Sequence, residues 1–503
     1  MLTSMYAENL GQYVDPDIAP SGTLLGLLQR GRGDGTLHAL AAPRAEALAA
    51  LHHCLANDPR RDWQVEHRSL YYARLHRDLD AGLDAVAAHL FSAQDQLDTR
   101  EERTGLALSV LGHLASYGNV GALRLLREYT ARGANWPWAL DELAVRDDDA
   151  ALRRLGPAVL SRFPRTPDGD AELADALRGA FEPRPWRLWE EDPTRPEQRE
   201  RLSRARERHS FDRWSRQLRS AGPRPGWSVR EVLAWAEEPP TPPGEESADA
   251  EPFDPDLARQ QRAAAAARCL AAVAGPEDRP ALLAAARGGT DTARQAALRH
   301  LAEGCDPEAL DLVESAVADG SPQVVRAAAA AAFARMRDGA AVVRARRWAG
   351  RDDVLGVEAA AMLACRGDAR DADAVLAALR RTVRAAGCDS DALWPLVDGV
   401  GRLRVHCAAP VLRHLYRETT SSQLRGRTAR ALAATDPAFA ASFAVECLWD
   451  CEESTREVAA RAATTGDDRV VERLRRLAAD PAEEAGVQSA VRGRLEPGAQ
   501  SGC

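Results

Sequence analysis

Four arginines open alanine-rich runs at nearly constant intervals. Arg294 precedes Ala296-Ala297-Leu298, Arg326 precedes the alanines of 327–332, Arg425 precedes Thr428-Ala429, and Arg456 precedes Val458-Ala459-Ala460. The first two stand 32 residues apart and the last two 31, with Glu358 a further 32 beyond Arg326 in the equivalent place. A period of that length marks a two-helix unit, and each such unit carries apolar faces on both sides that only a neighbour can cover. Gly275-Pro276, Gly304-Cys305-Asp306-Pro307, Asp338-Gly339 and Asp436-Pro437 supply the turns between the two helices. Alanine loses no side-chain entropy in a helix and lets axes approach closely. The alanines of 263–267 and 327–332 are therefore expected between layers, with Leu301, Val313, Leu376 and Leu432 filling the middle.

Among these units, Asp319-Gly320-Ser321-Pro322-Gln323-Val324-Val325-Arg326 leading into an alanine helix resembles HEAT-like repeats of the phycobilin-lyase type. The resemblance spans roughly residues 257–480, about seven units at this period. It implies an all-α fold: an α-solenoid of HEAT-like helix pairs, in the armadillo-like class, whose concave face receives a ligand.

The N-terminal part also reads as short antiparallel helices, an N-terminal helical-repeat lobe. Leu48, Leu51 and Leu55 share one helical face, as do Tyr72, Leu75 and Leu79, and Leu106, Val110, Leu111 and Leu114 make another. The run His113-Leu114-Ala115-Ser116-Tyr117-Gly118-Asn119-Val120, with Leu123, Leu125-Leu126 and Gly133-Ala134-Asn135, resembles an ankyrin repeat over about 113–135. Trp136-Pro137-Trp138 stands where that family opens its next repeat on Thr-Pro-Leu-His, so the following stretch departs from it.

From 182 to 256 prolines accumulate, ending in Pro239-Pro240-Thr241-Pro242-Pro243, a composition that favours extended chain. Between the proline groups, 197–218 still has the pattern of one charged helix. The expected organisation is a flexible N-terminus at 1–20, a helical-repeat domain at 21–181, a Pro/Arg/Trp-rich connector at 182–256, a HEAT-like domain at 257–495 and a flexible tail at 496–503. Within the connector, 184–230 holds 13 arginines against 7 acidic residues, whereas every charge from 231 to 256 is acidic. The basic block is suited either to phosphate or to the acidic tract beside it.

All 66 basic residues are arginine, as a GC-rich bacterial genome would spell its cations. Without lysine there is no Schiff base, phosphate-loop lysine or Ser-x-x-Lys acylation site. A net charge of −9 argues against a mainly electrostatic nucleic-acid binder. The nine cysteines form no disulfide framework, residues 1–20 carry Glu8, Asp15 and Asp17 with no apolar run, and no stretch reaches membrane-spanning length. A cytoplasmic protein without a membrane segment is expected.

Candidate chemistry is sparse. Cys447 and Cys451 share a helix side but lack a second ligand pair, and read as packing cysteines. His52, His53 and Cys54, with His67 and His76 downstream, project about 100° apart from one residue to the next, which suits chelation poorly. Gly31-Arg32-Gly33-Asp34-Gly35 follows no strand, carries an aspartate and reads as a turn before a helix near Leu37. These residues set no catalytic group, cofactor or metal ligand. Tryptophans outside regular repeats either pack a linker onto a domain or mark a recognition site. The candidate interaction residues are Trp136, Trp138, Trp186, Trp189, Trp394 and His406. The expected function is a non-catalytic scaffold holding a protein partner. The alternatives are a lyase-like protein gripping a small molecule or modified peptide beside Trp394, His406, His414 and Tyr416, and a HEAT-repeat nucleic-acid binder.

Overall fold

The computed structural model describes residues 18–57, 68–217, 226–239, 254–318 and 321–495. The N-terminal stretch up to 17, His67, the side chain of Trp214, most of 237–251, Asp319-Gly320 and the tail 496–503 lie outside the described residues. Among those described, the secondary structure is entirely helical, and no helix is long and apolar enough to cross a membrane. The chain divides into two compact units, one holding the described residues of 221–412 and the other those of 14–220 together with 413–503.

In the 221–412 unit, the helices Pro255–Val273, Asp291–Glu303, Gln323–Arg335, Val354–Arg366 and Leu393–Arg402 pack side by side in chain order. The intervening helices Arg279–Gly288, Ala309–Val317, Gly339–Trp348 and Ala372–Ala386 pack against them as second members of each pair. Three of the five first helices start where a small polar side chain, Asp254, Thr290 or Asp353, takes an orphan amide. Thr290 accepts from Ala293 N–H, and Asp353 accepts from Gly356 N–H at 3.0 Å. Leu301, Val313 and Leu376 are buried as expected, with Ala296, Ala297, Ala329 and Ala330 between neighbouring helices.

The expected register of Glu358 is corrected here. Val325, Ala329, Ala330 and Phe333 are the buried set of one first helix, and Leu355, Ala359, Ala360 and Leu363 that of the next. The sets match at 30 residues, so Gly356 occupies the place of Arg326, and Glu358 that of Ala328. Burial of the helix face, not the identity of its first charge, sets the register.

The arginines have a common structural use. A helix leaves its last carbonyls without partners and carries partial negative charge there, and a guanidinium fork satisfies both needs. Arg294 donates to Ala286 O, Arg366 to Met336 O, and Arg402 to Ala364 O and Gly367 O. In the second unit Arg162 donates to Gly133 O, Arg184 to Ala144 O and Arg494 to Ala463 O. A second set ties one pair to the turn of the next: Arg279 to Asp306 at 2.6 Å, Arg346 to Asp371 at 2.8 Å and Arg413 to Asp436 at 2.6 Å.

The second unit is built from both ends of the sequence. Leu51, Leu55, Tyr72, Leu75, Leu106, Val110, Leu111 and Leu114 form one core with Cys451. Gly31 has φ +66°, and its carbonyl accepts from Cys451 N–H at 2.9 Å. A Cβ on Gly31 would collide with Cys451 Sγ, and one on Gly33 with the Glu446 carbonyl, so these glycines are spaced by close chain approach. Gly33 and Gly35 lie in the helix Gly33–Ala41, which agrees with a turn-to-helix reading of that segment.

The proline-rich segment is more helical than its composition suggests. Pro185 and Pro196 sit in the first turns of the helices Arg184–Glu190 and Pro196–Gln217, where a missing N–H costs nothing. A third helix, Val229–Glu237, opens with a reciprocal cap between Ser228 and Glu231.

Candidate interaction face

Two first helices of the 221–412 unit, Gln323–Arg335 and Val354–Arg366, leave one side uncovered. On Gln323–Arg335, positions 324, 327, 331 and 334 point away from the buried set; on Val354–Arg366, positions 354, 357, 361 and 365 do the same. On a soluble helix these positions ordinarily carry charge. Here they are Val324, Ala327, Ala331 and Ala334 beside Val354, Val357, Ala361 and Cys365. Val324 is 42% exposed, Val354 45% and Val357 38%. The two helices are neighbours in the layer, so the rows form one apolar surface of small side chains.

The register extends the rows to the helix Leu393–Arg402, where Trp394 follows Val357 and Asp398 follows Ala361. Trp394 is half-buried there. Glu358 borders the Val357 row. Burial pushes its carboxyl above the usual carboxylate range, and no ion pair or hydrogen bond reaches it among the described residues. Cys365 marks the edge of the face, its thiol pushed up by burial and then by Asp398, with Arg402 opposing.

The other expected interaction residues lie elsewhere. Trp186 and Trp189 are 3% and 0% exposed and belong to a core with Phe163, Leu173 and Leu202, which corrects their reading as a recognition surface. Their rings meet edge to face at 5.0 Å between centroids, and Trp136 joins at 6.2 Å from Trp186. Trp136 and Trp138 are half-buried, and Trp138 donates its indole N–H to Ser109 Oγ at 2.9 Å. His406 is exposed in the short turn His406–Ala408. Tyr416, expected to line a pocket, is fully buried with its hydroxyl 3.0 Å from Cys447 Sγ. His414 is exposed.

The remaining polar groups serve structure. Cys447 and Cys451 are both buried, Cys447 against Tyr416 and Cys451 3.4 Å from an Arg425 Nη. Arg425 is fully buried in a bidentate pair with Asp450 at 2.8 and 3.1 Å. His52 and His76 have their pKa values lowered by burial, with no partner at either Nε2. Among the described residues, no group of three or more His, Cys, Asp or Glu is arranged to hold a metal ion. A cleft of about 630 Å³ between Leu160, Phe163, Pro164, Pro196 and Arg201 is walled by side chains already engaged, Arg201 with Asp170 and with the carbonyls of Phe163 and Pro164.

Glu446 gives one pH-dependent expectation. Burial, with Asp34 nearby, pushes its carboxyl up to about 7 from 4.5. The folded protein therefore binds a proton that the unfolded chain has released, and stability falls as pH rises from about 4.5 through about 7. Glu446→Gln is expected to flatten that part of the profile and to stabilise the protein at pH 8, as read by urea midpoints across pH. An unchanged slope would show that another group carries it.

Compared with known proteins, the chain matches no protein-family model, and no curated protein matches it.

Proposed function

We propose that this chain is a non-catalytic protein-interaction scaffold: an α-solenoid of HEAT-like helix pairs that receives a protein partner on the uncovered side of its first helices. The observation that supports this most is the apolar row Val324, Ala327, Val354 and Val357, exposed where a solvated helix would carry charge. Covering such a surface contributes about 25 cal/mol per Å² of apolar area. Trp394 on the next helix adds an aromatic anchor of the kind that interfaces favour. The nucleic-acid reading draws no support here, since Glu358 and Asp398 are acidic where phosphate requires arginine. The lyase-like reading loses one of its pocket residues, because Tyr416 is enclosed.

Affinity purification from the native host tests the proposal. The wild-type chain is expected to retain a stoichiometric protein partner, which Val324→Asp with Val357→Asp loses while the thermal midpoint stays within about 2 °C, since both sites are on the surface. Retention of the partner by the double variant, or a wild-type chain that recovers none, counts against it.

A further inference from the structure

We infer that the occupant of this face is a cationic apolar peptide segment, one that seats small aliphatic side chains over Val354, Val357 and Ala361 and lays a single arginine or lysine against Glu358. The inference rests on the platform reading above and adds the chemistry of the partner.

Glu358 stands apart from the carboxylates around it. Glu314 receives Arg344 at 2.9 Å and the Trp348 indole at 3.1 Å, Asp353 caps a helix and pairs with Arg351, and Asp371 receives Arg346. All are on the same or adjoining helix pairs, so arginine is abundant where a carboxylate needs one. Glu358 is half-buried on a helix face it shares with Val354, Val357 and Ala361, has lost part of its hydration, and receives no ion pair or hydrogen bond among the described residues. A guanidinium or ammonium arriving with apolar flanks would displace the remaining water and supply the missing partner, and charge-assisted bonds strengthen as water leaves.

Charge decides among the candidate occupants. The chain's own sequence from 240 to 253 carries only acidic charge, at Glu245, Glu246, Asp249 and Glu251, and cannot complement Glu358. An acidic peptide or a nucleic acid meets the same repulsion. The small size of Ala327, Ala331, Val354, Val357 and Ala361 makes the surface shallow across two helices, which fits the side of a helix better than a single bulky group or a lone small cation.

The experiment uses the full chain and three labelled amphipathic Leu/Ala peptides that differ only at the central residue: arginine, methionine or glutamate. Fluorescence anisotropy is expected to show the arginine peptide binding at least about tenfold more tightly than the glutamate peptide, the gain of one charge-assisted bond. Glu358→Gln removes that advantage, and Glu358→Arg inverts it in favour of the glutamate peptide, with circular dichroism confirming that both variants fold. Equal binding of all three peptides to the wild type overturns the cationic occupant and leaves the apolar platform standing. Failure of every peptide to bind overturns the inference, and partner retention by the Val324→Asp/Val357→Asp variant then decides the platform reading separately. If sedimentation shows wild-type self-association that Glu358→Arg abolishes, the occupant is a second copy of this chain and the inference falls.

Discussion

Glu483→Ala is expected to destabilise the unit formed by both chain ends by about 3–5 kcal/mol, among the largest losses a single substitution can cause here. The Glu483 carboxylate is fully enclosed and accepts from Arg456 at 3.0 and 2.7 Å and from Arg74 at 3.1 Å. Arg456 is itself buried, and its other amino group donates to the carbonyls of Asp450 and Cys451 at 2.8 and 2.6 Å. Removing the carboxylate leaves guanidiniums in an interior that already resists charge. Arg473, buried beside them, has its pKa pushed down to about 9 by burial and then by Arg74 and Arg456. Asp480 still holds Arg74 at 2.9 Å, so Arg456 bears the main loss.

The pH dependence of this cluster has the opposite sign to that of Glu446. Burial pushes the Glu483 carboxyl up, but Arg456 and Arg74 outweigh it and hold the group below its usual range. Its contribution is therefore present above about pH 4.5, the ordinary glutamate value, and is lost as pH falls further. Urea unfolding at pH 7 and at pH 4 checks both parts: the variant's deficit should be large at the first and smaller at the second. A deficit under about 1 kcal/mol at pH 7 would mean that water reaches the cluster.

Trp189→Ala is expected to cost a similar amount, about 3–5 kcal/mol, without changing partner retention. The indole is fully buried, donates to Leu152 O at 2.7 Å and packs against Gly156, where a Cβ would come within 3.0 Å of the ring. Truncation opens a cavity next to Trp186 and removes the indole hydrogen bond to Leu152 O. Thermal unfolding and affinity purification separate the outcomes. A variant of normal stability that loses its partner would return Trp189 to the recognition surface.

Much of the local structure was legible because helix period, caps and turn residues are local signals. Spacing puts Leu51, Leu75 and Leu111 on apolar helix faces and Leu432 in the middle of the stack, all four are buried, and the regularly spaced Arg425 and Arg456 form two buried ion pairs. The pairing of distant segments was not legible: Arg74 and Asp480 are 406 residues apart, and no periodicity connects them. Its only local trace is Gly31-x-Gly33, glycines whose missing side chains make room for Cys451 and Glu446. Tryptophan near proline was ambiguous for a similar reason. Whether Trp186 is a surface or a core depends on Phe163 and Trp136, which reach it only after the chain folds back.

The interaction face was half visible. Trp394 is a candidate on sequence alone, and Glu358 stands out as an acidic residue at the interval that elsewhere holds arginine. What hid the face is that alanine reads equally well as close-packed interior and as bare exterior. Only burial tells Ala329, enclosed, from Ala331, on the uncovered side.

A unit assembled from the first and last parts of one chain also has a history during synthesis. The segment that ends near Arg132 emerges long before residues 413–495, which carry Asp450, Glu483 and the backbone that Gly31 meets. At about 5–20 residues per second, the ribosome would keep them apart for roughly 20–70 s. Through that interval Arg74 waits without its carboxylates and Cys54 sits in a half-built core, while all of 221–412 is free to fold first. Until residues 413–495 arrive, the nascent N-terminal segment thus keeps uncovered the part of its core that Cys451 closes.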